Sequence, residues 1–372
     1  MTSPARQREI DQASTAFHVA LSQIGAATVT DALSLWHEVP AVQRATTASG
    51  WLRRAISLVM GRRRQSRDLA RAYYRLARAL QTGSTVADPY HPEPEYVSLA
   101  DLRREFAELA GTYEAPPSAS STSQTATDES RDAAPDSRDS SSPVADSVQV
   151  THADEGQDQD EDWDRILVEE LEGLREDEER IEREAEEELR TVLDALGSQN
   201  LNRRLDEIGD EQPARDTDKA REEAHRQAGA QQAAAASRVA MNGGRSTTWN
   251  HMRRDRRALG YVRLSRTGTP CGWCAMLISR GPVYKSRESA TFVDGDRYHD
   301  NCHCYAAPVF SMQQYQGSEL TALSREYEAL WPQVTKGLSG KSAVSAWRRF
   351  IRQKQRAAAQ EARQSTITAR EA

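Results

Sequence analysis

Pro270-Cys271-Gly272-Trp273-Cys274 and, 24 residues later, His299-Asp300-Asn301-Cys302-His303-Cys304 decide how the rest of this chain is read. A C-x2-C turn sets two thiolates on one side of a tight loop. A second short cluster can then close a tetrahedron around a structural zinc ion. Six side chains offer themselves for four places. Cys271 and Cys274 form the first pair. The second comes from His299, Cys302, His303 and Cys304, with His299 plus Cys302 or Cys304 preferred, because ligands one residue apart are less common than ligands two apart. All four cysteines of the 372-residue chain fall in this stretch, too few and too close for a disulfide scaffold. A thioredoxin-type redox pair would need a βαβ pattern around it and would leave Cys302 and Cys304 unexplained. A nucleobase deaminase would need an H-x-E partner, and the nearest match, His91-Pro92-Glu93, lies far upstream in a proline-rich loop.

The segment around the knot, residues 245 to about 310, is of a size at which a hydrophobic core is marginal. Bound zinc would add on the order of 10–16 kcal/mol that becomes folding energy. With this many thiolates and no evident open position, the site reads as structural. The wider composition agrees with a modular chain. Only 38% of residues are hydrophobic, 6% are aromatic, and the mean hydropathy is -0.76, lean for one 372-residue globule. No run approaches the ~20 apolar residues of a membrane span, and the N-terminus lacks a signal-peptide core, which predicts a soluble, cytoplasmically made protein.

The net charge of -7 conceals blocks. Residues 1–80 carry 12 Arg against 5 acids, residues 151–190 carry 19 acids against 5 Arg, and residues 341–372 carry 8 basic against 2 acidic side chains. Residues 1–113 read as a helical N-terminal domain. Its segment Trp51–Leu80 has apolar residues at helical spacing and a second face from Arg53 to Arg78. The three prolines of 88–95 break the helix, and Ser98 with Asp101 signals the cap of a short one. Residues 114–160, rich in Ser and Asp, are too poor in apolar groups to offset ordering entropy and read as a disordered linker. Residues 161–244 read as acidic and Ala-rich long helices. Leu167, Leu171, Leu174, Ile181, Ala185, Leu189, Val192 and Leu196 sit at near-heptad steps open to helix pairing, and Asn242-Gly243-Gly244 reads as the stop. Residues 313–372 read as C-terminal helices with a basic tail. The fold class is therefore mainly α, with a small α+β metal-stapled C-terminal module and a disordered central linker.

At the knot and its flanks the chain resembles a known family. Gly260-Tyr-Val-Arg-Leu264, Pro270-Cys-Gly-Trp-Cys-Ala-Met-Leu277, Ser279-Arg-Gly-Pro-Val-Tyr284, Tyr298-His-Asp-Asn-Cys-His-Cys304 and Pro308-Val-Phe310 resemble the C-terminal module of MuF-like minor capsid proteins. These are head-morphogenesis proteins of tailed bacteriophages, and this form is similar to that of actinobacterial phages. The likeness spans residues 245–312. It implies a low-copy structural protein of the virion interior, present in the host cytoplasm during assembly. Its partners would be the portal protein and the capsid shell, with a role in head assembly and genome handling. It also implies a metal cluster of Cys271, Cys274, His299, Cys302 and Cys304, and no catalytic residue. A capsid-maturation protease is the competing expectation, although G-x-S-x-G and H-E-x-x-H are absent. A zinc-ribbon nucleic-acid binder is another, using Arg245, Arg253, Arg254, Arg256, Arg257, Arg263 and Arg266. The basic helices at both ends could meet packaged DNA through its phosphates, the acidic helix of the same chain, or a capsid wall.

Overall fold

The computed structural model describes residues 3–40, 48–112, 164–208, 214–265, 270–282, 298–300 and 302–371. The expected linker at 114–160 lies outside the described residues. Three long helices form the frame: α1 (Pro4–His37), α2 (Ala48–Thr82) and, much later in the chain, Ala214–Arg254. Between them come β1 (Ser84–Val86), β2 (Tyr96–Ser98), α3 (Leu99–Leu109), β3 (Arg165–Glu169), α4 (Leu174–Asp194) and α5 (Asn200–Asp206), so that Ala214–Arg254 is α6. Then follow β4 (Gly260–Leu264), α7 (Gly272–Ile278), β5 (Tyr305–Val309), α8 (Met312–Gly317), α9 (Ala322–Val334) and α10 (Gly340–Glu371). Mainly α with a small strand pair beside the cysteines is the observed class.

Local chemistry explains several boundaries. Ser98 caps α3 as its sequence signals: the Asp101 amide donates to Ser98 Oγ at 3.0 Å and Ser98 Oγ donates back to the Asp101 carboxylate at 2.8 Å. The proline-rich stretch is a loop between β1 and β2. Both strands pair with β3, β1 in parallel (Ser84 with Leu167) and β2 antiparallel (Tyr96 with Leu167). Leu167 therefore belongs to a strand and not to the heptad run, because its backbone completes the ladder between two short edges. The helix proper starts at Leu174. Its buried stripe is Leu174, Ile181, Ala185, Leu189 and Leu193, with Leu193 taking the place expected of Val192. A π turn at Ala195–Gln199 separates α4 from α5.

Asn242-Gly243-Gly244 does not end a helix; α6 runs through it. The reason is contact. A Cβ on Gly243 would lie 2.5 Å from the Arg63 carbonyl oxygen, and one on Gly244 2.6 Å from that of Ser66. The glycines let α6 press backbone to backbone on α2, where the Gly244 amide donates to Ser66 Oγ at 2.9 Å.

Part of the arginine face of α2 is interior, while Arg53, Arg54 and Arg64 stay exposed. Arg63, Arg71, Arg75 and Arg78 are buried, and Arg67 nearly so. Arg63 Nε donates to both Glu182 carboxylate oxygens at 3.0 Å; Arg67 and Arg71 share Glu178 at 3.0 and 3.3 Å. Arg75 takes Glu105 and Glu93, while Arg78 forks between Asp255 and Glu169 at 2.6 Å each. Arg63, Arg67 and Arg71 thus meet acids of α4, the contact with the acidic helix that the sequence left open.

Two clusters of apolar residues then tie the C-terminal half to the frame. In one, Phe17, Leu21, Tyr73 and Leu76 pack with Val262, Leu264, Tyr305 and Val309 of the strand pair. In the other, Cys274, Cys302 and Cys304 pack among Trp249, Met252, Tyr327, Trp347 and Ile351.

Candidate metal centre

Strands β4 and β5 pair antiparallel from Gly260 with Val309 to Leu264 with Tyr305. This register brings Cys304, the residue before β5, back toward the loop that leaves β4. Cys271 is the N-cap of α7, and its sulfur accepts from the Cys274 amide at 3.4 Å. A one-turn reversal, with the Cys302 amide donating to the His299 carbonyl at 3.1 Å, turns the second cluster inward.

Five donors converge. Cys271, Cys274 and His299 place their ligand atoms within 4.8 Å of one another, and so do Cys274, Cys302 and Cys304. Cys271 Sγ is 3.1 Å from His299 Nε2, Cys274 Sγ is 3.7 Å from that nitrogen, and Cys274 Sγ is 3.5 Å from Cys302 Sγ. Donors around a tetrahedral zinc, with bonds of about 2.3 Å to sulfur and 2.0–2.1 Å to nitrogen, stand roughly 3.5–3.8 Å apart. The arrangement fits a thiolate-rich divalent ion. His303 is not among the donors: its side chain is exposed, and its carbonyl accepts from His18 Nε2 at 2.8 Å.

The imidazole is pre-aimed. His299 Nδ1 donates to the Asp300 carbonyl at 2.7 Å, which turns Nε2 toward the sulfurs. The Asp300 carboxylate is in turn held by Arg238 at 2.8 Å, and Arg238 also reaches Glu188 of α4 at 3.1 Å. Proton affinities are spread apart by crowding. The Cys274 thiol and the His299 ring pull Cys271 down to about 4, while Cys274 itself is pushed up by Cys271. Cys302 is lowered by Cys274 and Cys304, helped by Arg245 and Arg263. His299 is raised to about 9, chiefly by Cys271. A metal ion would replace these shared protons.

Spacing alone did not reveal the cationic surround. Arg245 and Arg263 are buried, and their guanidinium carbons sit 4.0 and 3.9 Å from the Tyr298 ring centroid. Arg245 also donates to the Cys302 carbonyl at 2.6 Å. A divalent ion on four thiolates leaves two negative charges in a dry site, and two guanidiniums offset them. These arginines were candidates for nucleic acid; they face the sulfurs instead. Of the others, Arg253 and Arg254 pair with Asp177 at 2.9 and 2.6 Å, Arg257 pairs with Glu169 at 2.7 Å, Arg256 is exposed, and Arg266 lies outside the described residues. The deaminase alternative finds no support in placement: His91 is exposed, and Glu93 is taken by Arg75.

Residues 206–330 match the family model described as VG15 protein. The match covers about a third of the chain, from the end of α5 through most of α9, and it contains all five donors. VG15 is a viral, phage-borne family, so the match indicates a phage protein associated with the virion. Neither the curated proteins nor the solved structures give a match. Within the VG15 region, the sulfur cluster joins α6 and the strand pair to α7. Among the described residues no helix is long and apolar enough to cross a membrane.

Proposed function

We propose that this chain is a minor capsid protein of the MuF-like kind. In this reading it is a non-enzymatic docking piece inside the phage head that engages the portal and the shell during assembly. The observation that carries the reading is the overlap of the VG15 match with the thiolate knot. Burial supports a staple over a reactive centre: Cys274, Cys302 and Cys304 are 2%, 6% and 3% exposed. Reactive cysteines instead need partial exposure. Zinc is the proposed ion, because tetrahedral sulfur-rich sets suit it.

The test is the composition of the particle. Mass spectrometry of purified virions should find this chain at low copy, and portal protein should co-purify with it from infected cells. Normal, infectious particles that lack it would refute the proposal. Specific trimming of the major capsid protein by the pure chain would instead favour the maturation-protease alternative.

A further inference from the structure

Helix α10 carries a row of arginines that pairs with no acid among the described residues. Its base is anchored: Trp347 and Ile351 are buried, Trp347 meets Tyr327 and Trp331 with ring centroids 5.6 and 5.2 Å apart, and Gln355 donates to the Pro270 carbonyl at 3.1 Å. From Arg352 to Gln364 nearly every side chain is exposed, on all sides of the helix. A helix that buries nothing along that length is an arm.

The arm has a sign and a side. Arg349, Arg356 and Arg363 recur every seven residues, and Arg352 sits one turn after Arg349. At 3.6 residues per turn these four fall within a sector of about 60°, along roughly 21 Å of axis. Arg370 occupies the next sevenfold position. No acid stands three or four residues from any of the four. Exposed arginines of α4 differ: Arg175 pairs with Glu179 and Arg180 with Glu184, each at 2.9 Å. The lysine of the arm, Lys354, lies off the row and pairs with Glu326. The one acid well inside the arm, Glu361, falls outside the arginine sector.

We propose that this row binds duplex DNA through its phosphates, without reading sequence. Between Arg352 and Arg363 the helix offers Gln, Lys, Ala and Glu, so that stretch lacks the apolar and aromatic centre that protein partners bury. A line of unpaired guanidiniums suits a polyphosphate, and a bare helix of about 10–12 Å fits a major groove of about 12 Å. Arginines on α2 cannot share this role where they are committed to internal acids. The inference rests on α10 alone and stands apart from the head-protein reading.

The experiment is fluorescence anisotropy of the full chain with a labelled 30-base-pair duplex of mixed sequence, over a salt series. Binding should weaken steeply with salt. In Arg349→Gln/Arg352→Gln/Arg356→Gln/Arg363→Gln the log–log slope should be shallower by about 3–4, near 0.9 per lost phosphate contact. Helicity and metal content should match the parent, because the four side chains bury nothing. Arg53→Gln/Arg64→Gln, exposed on α2, should leave the slope unchanged. A parent that does not bind at low salt overturns the proposal. So does an unchanged slope in the quadruple variant or an equal loss in the α2 control.

Discussion

Cys274 is the sulfur common to both donor triplets, and it is buried on the inner side of α7. Its replacement should therefore differ in kind from that of its neighbours. Cys274→Ser is expected to abolish metal binding and to cost most of the ~10 kcal/mol that a structural zinc contributes, which leaves the region unfolded. His299→Ala removes a donor from one triplet only and should retain metal with weaker hold. Native mass spectrometry and zinc-release titration separate the two. Equal metal content in Cys274→Ser and the parent would contradict this assignment. A second residue-scale expectation concerns Arg78, which is fully buried between Asp255 and Glu169, with Tyr74 also donating to Asp255 at 3.0 Å. Arg78→Met strands a buried carboxylate and should destabilise by about 3–5 kcal/mol; adding Asp255→Asn should recover part of it. Thermal melts of the single and double variants check this. The donors were legible because cysteine and histidine at short spacing have few other uses. Arg245 and Arg263 were not, because an arginine beside thiolates and one beside phosphate look alike in a sequence.

At the scale of elements, α2 and α4 are held together by charge across a dry seam, which makes their packing depend on pH. Glu178 is buried against Arg67, Arg71 and His251, whose ring lies 3.6 Å from it. Burial disfavours its charge, but the His251 ring when protonated, together with the Arg71 and Arg67 guanidiniums, outweighs burial and holds the carboxyl below its usual value. A carboxylate lowered on folding stabilises above its unfolded pKa, and that contribution is lost as pH falls. Burial lowers His251, so its neutral form also stabilises above the unfolded value near 6.5 and penalises the fold below it. Both groups have the same sign. The melting temperature is expected to fall as pH drops from 7 to 4, and Glu178→Gln should lower it at pH 7 while flattening the decline. A melting temperature constant over that range would sink this account. Helix periodicity exposed both elements, but not their mutual orientation. A stripe of arginine every three or four residues is as consistent with solvent as with an acidic neighbour, and only the partner's placement decides. The short strands escaped notice because three residues show no alternation, and Leu167 fits a heptad by coincidence. Gly243 and Gly244 were misread because a glycine pair signals a stop and a close helix crossing equally well.

For the whole molecule, the knot reads from sequence as a small stapled module, whereas the structure shares its core with the first helices. Tyr305 of β5 is fully buried and its hydroxyl lies 3.2 Å from Ser14 Oγ; His18 of α1 donates to the carbonyl of His303, between two metal-site cysteines. Val262 and Leu264 rest among Phe17, Leu21 and Tyr73. Residues 245–312 alone would start inside α6 and expose that face, and zinc can fix the loops without covering it. An isolated 245–312 fragment should therefore bind zinc through thiolates yet lack a cooperative melt, while the full chain melts as one unit. Cobalt absorption reports the thiolates and calorimetry the cooperativity. A sharp melt of the zinc-loaded fragment would show that the module folds by itself. Otherwise the metal must be counted as one clamp of a larger assembly of helices, in which α1 and α2 cover the strand pair as surely as the ion gathers the sulfurs.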